Sequence, residues 1–209
     1  MTRPTAIADG AALVVRGRRR TAFRARGACG SVCSLSLGKP PHSPYPPDLD
    51  EAEVAAEAEF GDLVDVVVEN VDWANRRAPG LRARRAELRQ CRLTGTELGE
   101  ATLTDVTFDG CRLDLVGLRL AKLERVVFRD CRMGECDLYE AKLKDVLFER
   151  CELRGATVTN MKIQRVELRG CDLAGLSGVE ALRTARMPWT DVLENAALLA
   201  TALGIEIVD

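Results

Sequence analysis

Histidine is almost absent from this sequence: among 209 residues there is one, His42, in a Pro-rich stretch. The rest of the chain therefore has no Ser–His or Cys–His nucleophile arrangement and lacks the commonest metal ligand. Aromatic residues make up only 4%, so a core must be filled by Leu, Val, Ala and Cys. No apolar run approaches the ~20 residues that a membrane-crossing helix needs. Ala11–Val15 is too short for the core of a secretion signal, and arginines follow it where a cleavage site belongs. There is no Gly-rich phosphate loop. Carboxylates abound, but a paired-acid site needs a desolvated cleft to perturb one of them. These absences predict a non-enzymatic, cytoplasmic protein with no cofactor, no bound metal and no membrane association.

Charge of a single sign is missing overall, since the net charge is -2, but the two ends differ. Residues 1–47 carry eight basic residues against Asp9 alone, a balance of +7, which leaves -9 for residues 48–209. The stretch from Arg16-Gly-Arg-Arg-Arg20 to Pro40-Pro-His-Ser-Pro-Tyr-Pro-Pro47 has no sustained periodicity and too little apolar surface to order itself. Residues 1–47 are expected to be a disordered, basic, Pro-rich leader. A basic arm for nucleic acid or anionic lipid, or a transit peptide, are its functional readings. The plainer one is a dispensable leader translated from upstream of the true start. Residues 48–65 are expected to form an N-terminal cap helix over Asp48–Phe60, with acids in its first turn and Gly61 as its stop.

What is present is a ladder. Cys91, Cys111, Cys131, Cys151 and Cys171 stand 20 residues apart, each two residues before Leu93, Leu113, Met133, Leu153 or Leu173. Between them run units of five, each with a large apolar centre and a small apolar residue two positions earlier. The centres include Leu88, Leu103, Phe108, Leu123, Phe128, Leu143, Phe148 and Leu168; the small positions include Ala86, Ala101, Val106, Ala121, Val126, Ala141, Val146 and Val166. Neither a helix near 3.6 nor a strand near 2 explains a strict five. A chain that turns a corner every five residues does, and four sides return it above its own start after 20. Successive turns would then stack at ~4.8 Å, the spacing of hydrogen-bonded strands, as in a solenoid whose coils bury apolar surface only against their neighbours.

The units Ala121-Lys-Leu-Glu-Arg125, Ala141-Lys-Leu-Lys-Asp145 and Cys151-Glu-Leu-Arg-Gly155 resemble those of the pentapeptide-repeat family. That resemblance implies an all-β solenoid, a right-handed quadrilateral β-helix of about five coils over residues 66–176. It also implies that some members act on DNA gyrase by mimicking duplex DNA, often as dimers joined through C-terminal elements. Residues 177–209 read as a C-terminal helical cap, with one helix over Thr190–Leu203, an Asp191/Glu194 capping box, Thr190 as the alternative cap and Gly204 as the stop. A homodimer through this helix is the second reading of the same element.

The ladder Cys91, Cys111, Cys131, Cys151, Cys171, with Phe108, Phe128 and Phe148, is expected to be structural core. Stacked parallel thiols neither converge tetrahedrally on a metal nor offer disulfide geometry, and buried Cys acts as a small hydrophobe. Function must then sit on outward positions. Glu87–Gly175 holds sixteen acidic and fifteen basic residues, unlike the one-signed field of a DNA mimic. Alternating columns, Asp105/Arg125/Asp145/Arg165 and Asp109/Arg129/Glu149/Arg169, read as inter-coil ion pairs. Lys122, Lys142 and Lys162, supported by Lys144, form a basic stripe beside the acidic Glu97, Glu100, Asp137 and Glu140. Leu115 and Leu120, near each other at a corner, and Val127 and Leu147 are outward apolar residues. The expected function is a protein-interaction scaffold of unassigned partner, without direct nucleic-acid binding by the folded part; the alternative is a DNA-mimic modulator of a type II topoisomerase.

Overall fold

The computed structural model describes residues 61–208. The leader and the helix expected over 48–60 lie outside the described residues. Six strands, β1 (Leu63–Glu69), β2 (Arg82–Arg89), β3 (Thr102–Asp109), β4 (Lys122–Arg129), β5 (Lys142–Glu149) and β6 (Lys162–Arg169), stack in parallel in sequence order. The register is twenty residues throughout, as in Val106 beside Val126 and Val126 beside Val146. The result is a β-solenoid of about five turns between β1 and β6. β1 begins at Leu63, ahead of the start at residue 66 read from the sequence.

The corners explain the period. Every fifth residue from Asp65 to Gly175 takes a left-handed backbone, with φ between 47° and 60° where it is not glycine. Two extended residues and one such corner turn the chain, and four corners close a coil. The first two sides form the strand, bent at residues such as Arg125, and the other two are held by single bridges such as Arg112↔Arg132 and Gly117↔Asp137. Left-handed backbone costs an L-residue about 1–2 kcal/mol, so the fold accepts strain at each corner in exchange for a continuous core.

That core is what the five-residue phase dictates. Every centre and small position named above is buried. The rings of Phe108, Phe128 and Phe148 stack nearly parallel, with centroids 4.9 and 5.0 Å apart. Each ladder thiol donates to two carbonyls; Cys111, for one, reaches Leu88 O at 3.2 Å and Asp109 O at 3.5 Å. Thr96 occupies a small position by donating to Trp73 O at 2.9 Å, which satisfies its buried hydroxyl.

The C-terminal end departs from the sequence expectation in three ways. The coil pattern runs past residue 176: Leu176 is buried and Ser177 still bridges to Thr157. The single helix over Thr190–Leu203 is two, α1 (Trp189–Glu194) and α2 (Ala196–Ala202). They break at Asn195, whose side-chain amide donates to Asp191 O at 2.8 Å and so competes with the helical ladder. The capping box does not form. Asp191 lies inside α1, and its Oδ2 accepts the Gly170 N–H at 2.5 Å, docking the helix onto the last coil. Beside it Arg186 pairs with the edge of β6, accepting from Leu168 N–H and donating to Val166 O, each at 2.9 Å. Gly204 ends α2 as expected, at φ 74°. An exposed strand edge would otherwise invite pairing with another chain.

Asp191→Ala leaves the Gly170 N–H without its acceptor and is expected to cost about 1–3 kcal/mol. Amide exchange at Gly170 should rise well before that of β4, while Asp191→Asn, which keeps an oxygen acceptor, should retain most of the protection.

Candidate interaction surface

Most outward charges are consumed by their neighbours one coil away. Arg125 forks onto Asp105 at 2.5 and 3.0 Å, Arg150 onto Asp130 at 2.7 and 2.8 Å, and Arg85 and Arg165 hold Asp65 and Asp145 in the same way. Arg129 meets Glu149 at 2.9 Å and Lys144 meets Glu124 at 2.7 Å. Hydrogen bonds from these cations hold Asp65, Asp130, Asp145, Glu149 and Glu124 below the ordinary carboxylate range. The stability they contribute is therefore present above about pH 4 and fades as pH falls below it. Exposed pairs of this kind contribute little each and serve mainly to align the coils.

Two of the acids expected to form an acidic face are spent likewise. Glu97 pairs with Arg77 at 2.9 Å, and Asp137 with Arg119 at 3.0 Å, the latter guanidinium lying 4.7 Å over the Tyr139 ring. Lys122, Lys142 and Lys162 differ. They are exposed, stacked in direct register, and in no ion pair with a described residue. Three lysines carried on strands ~4.8 Å apart place like charges near one another, and an acidic ligand would relieve their repulsion.

The stripe opens onto a groove of about 750 Å³ where the last coils meet the cap. Its walls bring Leu120, Glu140, Lys142 and Lys162 together with Asn160 and Arg183. Asn160 shares the corner column of Leu120 and Glu140 and was legible from the twenty-residue spacing. Arg183 comes from the 3-10 turn Val179–Leu182 and its C-terminal flank, which carry no repeat signal. Gly178 opens that turn at φ 82°, and a side chain there would collide with the Thr159 backbone at 2.5 Å, so only glycine lets the cap approach.

Leu115 and Leu120 are 55% and 47% exposed, but on two successive corners rather than at one, at φ 59° and 58°. Most other corners hold Gly, Asn, Asp or a long charged residue. Only Leu120 reaches the groove. Val127 and Leu147, read as exposed, are fully buried. The six cysteines among the described residues are free and buried. Contact with Cys111 and Cys151 and then burial push Cys131 far above the ordinary thiol range, and burial pushes Cys136 up to about 12. Enclosed in this way, the thiols are out of reach of a substrate or a metal ion. Among the described residues no helix is long and apolar enough to cross a membrane.

Comparison with known proteins agrees with this geometry. A family model described as a pentapeptide repeat region matches residues 81–158 and 121–177. No curated protein matches the sequence. Among solved structures, QnrB1, a plasmid-mediated fluoroquinolone resistance protein, is 14% identical; the match covers 66% of this chain and 100% of that one, with a TM-score of 0.35. Rfr23 of the cyanobacterium Cyanothece 51142 is 17% identical over 62% of this chain and 85% of its own, with a TM-score of 0.25. A pentapeptide repeat protein of the Arabidopsis thaliana thylakoid lumen is 17% identical over 62% and 75%, with a TM-score of 0.30. With its five-residue core phase and its corner at every fifth residue, the chain carries a pentapeptide repeat region over the matched residues 81–177.

Proposed function

We propose that this protein is a non-enzymatic scaffold that binds a protein partner in the groove between the Lys142–Lys162 stripe and the C-terminal cap. The observation that carries this reading is Leu120. A leucine held left-handed and half in water costs stability twice, by strain and by exposure. Strain retained at a groove's rim supports a role in contact, and the lysines beside it favour a segment presenting an apolar side chain flanked by carboxylates. Against catalysis, each carboxylate with a resolved shift is lowered by hydrogen bonds to its charged form, whereas a general acid needs the opposite. The free thiols suit a reducing, cytoplasmic setting.

The test compares capture of partners from native lysate by the full chain and by Leu120→Asn. Asparagine relaxes the corner, so the melting temperature should hold or rise while the captured partner is lost. Retention of the same partner by Leu120→Asn sinks the groove reading. Inhibition or drug protection in a gyrase supercoiling assay at micromolar protein would favour the DNA-mimic alternative, which the balanced charge of the coils disfavours.

A second copy of this chain is the other partner that an observation supports. Trp189, Leu193, Leu203, Ile205, Ile207 and Val208 leave apolar surface exposed around the C-terminal helices. A mass of one chain by light scattering at high protein concentration would remove the dimer.

A further inference from the structure

The groove runs along the solenoid axis. Leu120, Glu140 and Asn160 come from the same corner of three successive coils, Lys142 and Lys162 stand two residues beyond that corner, and Arg183 follows in the cap. Lys122 continues the lysine row one coil further from the cap. The corners are stacked by backbone bonds: Leu120 N–H donates to Tyr139 O at 2.9 Å, and Glu140 N–H to Thr159 O at 3.1 Å. Bonds between coils point along the axis, and β4 and β5 are each paired on both sides. An occupant lying along the axis therefore meets side chains, and no unpaired edge of β4 or β5.

We infer that the partner segment is an α-helix laid along the solenoid axis, with carboxylates at positions i, i+3 and i+7 set against Lys122, Lys142 and Lys162. This rests on the groove reading and names its occupant. An extended segment in this direction finds no backbone to pair with, whereas a helix satisfies its own N–H and C=O groups. The spacing agrees. Those helical positions rise about 4.5 and 10.5 Å from the first, against coil steps of ~4.8 and ~9.6 Å. Alternate residues of a strand advance about 6.6 Å and fall out of step by the third lysine. Lys144 is spent on Glu124 at 2.7 Å, so the open lysines of this side form a single row. Arg183 adds a cation at the cap end. Glu140 lines the flank beside Lys142 in no ion pair with a described residue, so an acid on that flank of the helix is repelled. That flank carries an apolar residue against Leu120 instead.

Two fluorescent stapled peptides of identical composition test this against the full chain by anisotropy. One carries Glu at i, i+3 and i+7 with Leu beside the first; the other spreads the same residues around the helix. The first should bind about tenfold more tightly, and Lys142→Glu should weaken it about tenfold. The melting temperature of Lys142→Glu should hold, since position 142 is exposed between two lysines. Equal affinity for the two peptides, or binding of neither, overturns the helix. So does tighter binding of a single-stranded oligothymidylate that Lys142→Glu abolishes, which would make the row a phosphate track. If Leu120→Asn loses its lysate partner while neither peptide binds, the groove reading stands and only the helix falls. If Leu120→Asn keeps that partner, the groove reading itself fails.

Discussion

Phe128→Ala is expected to cost about 3–5 kcal/mol, the range for losing a large buried aromatic. Phe128 is fully buried in the middle of the ring stack, 4.9 Å from one partner and 5.0 Å from the other. The cavity cannot close by sliding the strands, because the twenty-residue register ties β3, β4 and β5 by backbone hydrogen bonds on both sides. Both remaining rings would lose contacts on one face, so dispersion is forfeited twice. For a chain of this size the melting temperature should fall on the order of 10 °C. Leu168→Ala, at the last coil beside the cap, should cost less, because that site can relax toward the C-terminal turn. Urea titrations of the two variants decide it. Equal losses would mean that the stack carries no special weight.

Cys131→Asp should be the more damaging change, and should prevent folding at neutral pH. Cys131 is 1% exposed, and its thiol donates to Phe108 O at 3.5 Å and Arg129 O at 3.2 Å. A carboxylate there meets two acceptors and no donor, between the sulfurs of Cys111 and Cys151. An uncompensated buried charge costs roughly 3–5 kcal/mol, a large part of the 5–15 kcal/mol that holds a typical domain together. Burial would raise the aspartate's folded pKa above its unfolded value near 4, so the penalty grows as pH rises through that window and disappears below it. Cys131→Ser, which keeps a donor of similar size, should retain the β-rich circular dichroism spectrum. A native spectrum for Cys131→Asp at pH 7 would contradict the inward position of the ladder.

The sequence announced the core because the physics of a coil is local. Cys131 and Met133, or Val126 and Phe128, must point inward wherever the chain turns every fifth residue, and no distant residue changes that. Corner strain was equally local, yet it was hidden, since Leu115 and Leu120 look like ordinary outward residues until their positive φ is seen. Two kinds of feature were not legible. One is competition between nearly equal local options, as at Asn195, where a side chain takes a helical carbonyl and divides a segment whose apolar spacing reads as one helix. The other is burial that the repeat phase does not dictate. Val127 and Leu147 have the same phase as Thr107, and nothing within their own coils says that they are sheltered. Asp191 is a non-local case: its spacing to Glu194 suggests a cap, but its carboxylate is claimed by Gly170, a coil away. Of the groove, the lysine stripe and Leu120 follow from counting in twenties, whereas Arg183 arrives only through the docking of the cap.

The uniform register has a consequence for how such a molecule can change length. Each coil presents the same backbone groups above and below, so duplicating or deleting one twenty-residue block replaces every lost inter-strand bond with an equivalent one. The cap and its groove would be carried along the axis by about 4.8 Å per block, with little change in the surroundings of any side chain. The separation between the two ends is therefore quantised, and an ancestor could have tuned the reach of the protein between two contacts in whole steps, without redesigning either contact.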